Sequence, residues 1–169
     1  MLTSKKLLLL GVLLAAFSWP LCFVAADSLG QSHIFFTDKS FDEENRQQVT
    51  ASLKIVANNG YFYVEDQWYN NLTSNQKTAV ENDLRKLANE FDNNIYPRLT
   101  TIYGSEWKPG IDNDSRVTIL MHQMKKGAAG YFRTEDEMPI IQATSSNERE
   151  MVYLNAQALF YDLAKSYLA

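Results

Sequence analysis

Two histidines, several groups of carboxylates and one glycine-bounded stretch are the residues of this 169-residue chain whose types and spacing could do chemistry. His33 precedes the apolar run "IFF", and His122 follows "VTILM". Neither has a Glu or a second His one helical turn away, so no HExxH is present, and no cluster has zinc-ligand spacing. A catalytic zinc takes three protein ligands and keeps one open position. His122 therefore reads as a structural, partly exposed histidine rather than a ligand. Nucleophilic catalysis has as little to work with. "YGSEW" lacks the second Gly of a nucleophile elbow. "GAAG" at 127–130 lacks the Lys-Ser/Thr that completes a phosphate loop.

The carboxylates invite two readings. Glu135, Asp136 and Glu137 are consecutive, and Glu148 and Glu150 lie just ahead of an apolar run. Two such groups facing each other across about 5–10 Å would suit glycoside hydrolysis. A solvated acidic loop needs no such geometry and is the simpler reading. Asp112 and Asp114, separated by Asn113, offer closely spaced hard oxygens of the kind calcium takes. They lack the spaced ligands and distal Glu of an EF-hand, and an Asx turn at the start of a strand accounts for them. "NLT" at 71–73 and "NDS" at 113–115 are formal glycosylation sequons, and each also serves as a turn or cap.

The elements that must position these groups follow from the apolar pattern. "HIFF" reads as a short strand. Ser40 is placed to cap a helix with Asp42, Glu43 and Glu44 in its first turn. Val49, Leu53 and Val56 then fall at helical spacing, and Gly60 stops the helix. "YFYVE" is aromatic and β-branched and predicts a strand. Thr73 or Ser74 caps a long amphipathic helix in which Val80, Leu84, Leu87, Phe91 and Ile95 form the apolar stripe. Pro97 ends or kinks it, and "RLTTIYG" adds a short turn closed by Gly104. "KPGIDND" is turn chemistry, "RVTILM" a strand, "GAAGYF" a short strand or loop, "EDEMPIIQATSSNERE" a loop and "MVYLN" a second buried strand. From Asn155 onward the spacing of Ala156, Leu159, Phe160, Leu163, Ala164, Tyr167 and Leu168 is helical. Strands and helices interleaved with unequal loops imply an α+β domain, a mixed sheet with helices packed on it.

The start of the chain stands apart. Lys5 and Lys6 precede an apolar run broken by Pro20, and Val24 and Ala26 occupy the −3 and −1 positions for cleavage before Asp27. Residues 1–26 thus read as a secretory signal peptide and 27–169 as a single α+β domain. The competing reading is a membrane anchor, since the run is about long enough to span. Lipoprotein processing at Cys22 would meet the bulky Trp19 and Leu21 where small residues are wanted. Removing the leader takes with it the chain's one cysteine, so an exported product must rely on its core rather than on disulfides. The formal charge of −4, with no Lys/Arg stripe, argues against nucleic acid as a partner. No later run is long enough to cross a membrane. The expected location is extracellular or periplasmic.

"NEFDNNIYPRLTTIYGSEWKPGIDNDSRVTILMHQM", then "GAAGYF", "DEMP" and "SNEREMVYLN", resemble in order and spacing the segment that precedes the active site in secreted bacterial zinc metallopeptidases of the hyicolysin type. The resemblance covers about residues 35–169. It implies the N-terminal, upper part of a zincin-like domain, in which a mixed sheet precedes a helix carrying HEFxH. Two histidines one turn apart would bind zinc there, with the Glu as general base. No position of this sequence matches those residues, so no catalytic or metal residue carries over, and zinc is expected only of a complete family member. An apolar helix breaking off at Ala169 fits a piece ending before that motif. The resemblance also implies an edge strand along the substrate cleft that pairs with an extended peptide, main chain to main chain. "GAAGYF" is the candidate for that edge, with Gly127 and Gly130 letting a substrate backbone approach and Tyr131 facing the cleft. The competing reading of these residues is a tight turn with core aromatics. For the whole chain the alternative is a non-catalytic secreted module that contacts a peptide, glycan or surface partner.

Overall fold

Aromatic and β-branched residues at alternate positions build the sheet. A computed structural model describes residues 26–160. Its strands are β1 (Ser32–Phe36), β2 (Gln48–Val56), β3 (Gly60–Glu65), β4 (Val117–His122), β5 (Gly130–Tyr131) and β6 (Met151–Asn155). They form one six-stranded mixed sheet in the order β1-β2-β3-β4-β6-β5. The centre is parallel, β3 to β4 to β6, and the flanks β1/β2, β2/β3 and β5/β6 are antiparallel. With its helices this is an α+β domain. The leader reading falls on residues 1–25, and the last turns of the expected C-terminal helix fall beyond Phe160; both lie outside the described residues.

The helix expected from Ser40 to Gly60 is instead a set of turns followed by β2. Val49 and Leu53 are shared by helical and strand spacing, because a gap of four is also two periods of two. Ala51 decides between them. It is buried with Val49 and Leu53, while Thr50, Ser52 and Lys54 point the other way. Val, Thr and Ile are stiff at χ1 and suit a pleated surface. A register shift between Leu53 and Ile55 interrupts the alternation.

Each face of the sheet carries its own core. One face gathers Phe35, Val49, Leu53, Tyr61, Tyr63, Leu120, Met124 and Tyr153. The other packs Phe62, Val64, Ile119 and Met121 against helices α1 (Asp66–Asn70) and α2 (Ser74–Glu90) through Trp68, Val80, Leu84 and Ala88. Thr73 closes α2 with a capping box: its side chain accepts from the Gln76 N–H, and the Gln76 side chain accepts from the Thr73 N–H. Past Glu90 the helix widens into one π turn, Phe91–Ile95, and resumes as α3 (Tyr96–Tyr103) with Pro97 in its first turn. Proline supplies no N–H, so a helix tolerates it at a first turn, and the π turn provides that restart. The Asp92 carboxylate in the π turn accepts the Asn58 and Asn59 N–H groups at 2.8 and 2.9 Å, which joins the helical arm to the β2–β3 turn. Gly104, at φ 86°, ends α3 in a conformation that favours glycine.

After β5 the chain runs without strands to Met151, broken by one 3₁₀ turn, Thr134–Glu137. Asp136 is not part of a solvated acidic loop: it is fully buried. Its carboxylate accepts from Tyr153 Oη at 2.6 Å and from the Asn147 side chain at 2.9 Å. Asn147 in turn brackets Phe36, accepting its N–H at 2.8 Å and donating to its carbonyl at 3.0 Å. The segment therefore reaches from the β5 edge to β1, the opposite edge of the sheet. α4 (Ala156–Leu159) follows β6 directly, capped by the Asn155 side chain, which accepts the Gln157 N–H at 3.0 Å. Among the described residues no helix is long and apolar enough to cross a membrane.

Candidate functional site

"GAAGYF" lies at the edge of the sheet. Gly130 is opposite Leu154 and Tyr131 opposite Tyr153, and no described strand pairs with the far side of β5. The Asn155 N–H donates to the Ala129 carbonyl at 2.9 Å. Hydrogen-bonded and non-bonded pairs alternate along an antiparallel ladder, so Gly130 falls in a non-bonded pair. Its N–H and C=O point away from β6, toward whatever lies alongside. Phe132, next along, is 72% exposed.

The three residues singled out from sequence do different jobs. Gly127, at φ 93°, sits in a turn with open space where a side chain would be. Gly130 is required by its own sheet: a Cβ there would lie 2.6 Å from the Tyr153 carbonyl oxygen. Tyr131 turns inward. Its ring stacks between Phe41 and Tyr153, with centroids 4.7 and 4.3 Å away, and its hydroxyl lies 3.2 Å from His122 Nε2. That hydroxyl also accepts the Asp38 N–H at 3.1 Å. Its contacts are those of a core aromatic, while the main chain it belongs to is the free edge.

Behind Tyr131 is a polar cluster that sequence reasoning missed. His122 was expected to be partly exposed and is 0% exposed. Its Nδ1 lies 3.4 Å from Asp42 Oδ2 without a hydrogen bond. Asp42 and Glu65, both buried, are bridged by Arg46, whose guanidinium donates to Asp42 Oδ2 at 2.9 Å and to Glu65 Oε1 at 2.5 Å. Glu65 also accepts the Gln123 N–H at 2.8 Å. Burial opposes the charge on Asp42, and the Arg46 hydrogen bonds more than offset it, so its pKa lies below the usual carboxylate value. Burial holds the His122 imidazole below its ordinary pKa, although Asp42 and Glu65 pull the other way. The cluster pins the ends of β3 and β4 to the 38–46 turn. A glutamate closing an otherwise apolar strand, "YFYVE", was the available signal, because a charge there needs a partner.

The remaining carboxylates are structural in their contacts. Asp112 accepts the Asp114 N–H at 3.0 Å, and Asp114 accepts the Arg116 N–H at 3.1 Å, successive Asx turns leading into β4. Glu148 accepts the Ile140 N–H and Glu150 the Ile111 N–H. Burial raises the pKa of Asp136 and of Glu150. Among the described residues no three His, Cys, Asp or Glu side chains are grouped to hold a metal ion.

Fold and site together define an α+β domain with a mixed sheet and a glycine-bearing edge strand, β5, whose far side no described strand pairs. No protein-family model matches the chain, and no curated protein matches it.

Proposed function

We propose that this chain is the N-terminal part of a secreted zinc metallopeptidase, in which β5 forms the rim of the substrate cleft and a peptide or protein substrate pairs with it main chain to main chain. The observation that carries this reading is the edge itself. A mixed sheet ends in an antiparallel strand whose Gly130 N–H and C=O face outward, and its partner β6, reached through the 132–150 segment, leads directly into the start of a helix. That order agrees with what the resemblance to the hyicolysin type implies. The zinc it also implies finds no ligands among the described residues. Hydrolysis by zinc-activated water would belong to the complete protein, and this part would supply scaffold and rim.

The reading frame beyond codon 169 tests this first. A His-Glu-x-x-His within a few codons is expected, and the complete secreted protein should cleave an unfolded protein substrate until a chelator is added. Phe132→Pro, which removes the next outward N–H and no bond to β6, should raise KM about tenfold, the effect of losing one to two kcal/mol of main-chain pairing. A stop codon after Ala169, or no turnover by the complete protein, overturns the proposal.

The second reading, a non-catalytic binding module, draws on α3, which buries no residue and leaves Leu99, Ile102 and Tyr103 exposed, with Trp107 beyond it. Large exposed apolar patches mark interaction surfaces. A soluble, cooperatively unfolding monomer without turnover would favour it.

A further inference from the structure

We infer that cleavage after Ala26 creates a cation that the fold is arranged to receive: the new α-ammonium group of Asp27 pairs with the Asp112 carboxylate. This rests on the signal-peptide reading and is independent of whether the complete protein is a peptidase.

Asp27 is not a loose end. Its side chain is 8% exposed and is gripped by the Arg149 guanidinium, by the Tyr63 hydroxyl at 2.8 Å and by His33 Nε2 at 3.3 Å. Burial opposes its charge, yet Arg149 and Tyr63 hold its pKa below the usual carboxylate value. The side chain next to the expected cleavage point is thus anchored in the core, which restricts where its main-chain nitrogen can lie. Ala26 and Asp27 together line a cavity of about 320 Å³ whose other wall is the 109–116 turn and Arg149.

The charges in that cavity are uneven. Asp27, Asp112 and Asp114 are the carboxylates lining it, and Arg116 and Arg149 the cations. Arg149 is engaged by Asp27, and Arg116 lies 3.3 Å from Asp114, with the Tyr61 hydroxyl donating to Asp114 at 2.6 Å. Asp112 is left over, with no cation in salt-bridge range among the described residues. Burial raises its pKa, and the field of Arg149, already engaged by Asp27, only partly offsets this. Glu150, packed against the same turn at Gly110, is a buried carboxyl whose Oε2 has no hydrogen-bond partner, whereas Asp112 is half-buried. Before cleavage the Asp27 nitrogen is a neutral amide. After cleavage it carries one positive charge, which balances the lining groups.

An amine paired in this way has a raised pKa. Its stabilising contribution is full below the unfolded value of about 7.7 and is lost as pH rises through the folded value. A rise of one unit also lowers the fraction of free amine at neutral pH roughly tenfold. The test is acylation of the α-amine in the full chain secreted from an export-competent host, followed by mass spectrometry of the N-terminal peptide across pH 6–10. Expected are an N-terminus at Asp27, acylation at pH 7 about tenfold slower than in the same chain unfolded in urea, and restoration of the fast rate in Asp112→Asn. If Asp112→Asn is not secreted, the wild-type pH profile decides alone. An N-terminus elsewhere overturns the processing step. An Asp27 amine that labels as fast folded as unfolded overturns the pairing, and neither result touches the peptidase proposal.

Discussion

His122 shows how a single side chain can be placed wrongly from its sequence. Its sequence neighbours offered no Glu or second His one helical turn away. What they could not give was its burial, because Asp42 reaches it from a turn distant in the chain and Tyr131 from the edge strand β5. That burial has a consequence in solution. The unfolded chain takes up a proton on this imidazole near pH 6.5, whereas the folded imidazole, held low by burial, resists it. The unfolded state therefore binds more protons in the interval below 6.5, and stability falls as pH drops through it. Asp42, Glu65, Arg46 and the Tyr131 hydroxyl all face this ring, and the first two limit the effect. Urea denaturation midpoints should decline from pH 7 to 5 in the wild type and flatten in His122→Asn, which should also lose roughly 1–3 kcal/mol throughout. An unchanged slope in the variant would assign the decline to other groups.

Among the elements, those with one dominant period were legible and the one with two was not. α2 has its capping box and a stripe at Val80, Leu84 and Leu87, and β3, β4 and β6 are near-continuous apolar runs, as parallel strands buried on both faces are. In β2 the gap of four between Val49 and Leu53 satisfied a helix as well as a strand, and the burial of Ala51 between them, in a strand paired with β1 and β3, resolves the choice. The edge at β5 is what the family resemblance implies, while its glycines suit a tight turn equally well. The sequence could not tell a glycine kept for a substrate from one kept for the next strand. At Gly130 the 2.6 Å approach to the Tyr153 carbonyl favours the second role. Gly130→Val should therefore detach β5 from β6, seen as faster exchange of the Asn155 amide and new proteolysis near residue 130, alongside any loss of function. A variant with wild-type exchange and proteolysis would show that the strand can yield to a side chain.

At the scale of the molecule, two ties across long stretches of sequence hold the first face of the sheet closed: Asp27 on Arg149, and Phe36 bracketed by Asn147. Neither was visible in the sequence, since an Asn in a loop and an Asp near a terminus carry no pattern that names a partner more than a hundred residues away. Asn147 also donates to Tyr153 Oη and Asp136. Asn147→Ala leaves several buried polar groups without a partner, each costing roughly 1–3 kcal/mol. It should destabilise the domain by at least about 2 kcal/mol by that reckoning, and it should raise the exchange rate of the Phe36 amide above that of other β1 amides. Equal exchange along β1 would mean that the bracket adds no local hold.

Those ties also set an order of events. On the proposal that the chain is exported, threading it head-first through a channel would deliver Asp27 and Phe36 long before Arg149 and Asn147. The first strand can pair with the second early, but the face they share cannot be sealed until nearly all of the described chain has crossed. Contacts of such sequence separation form slowly. Under that proposal the polypeptide would stay pliant while being threaded and lock only once translocation had brought its two halves to the same side.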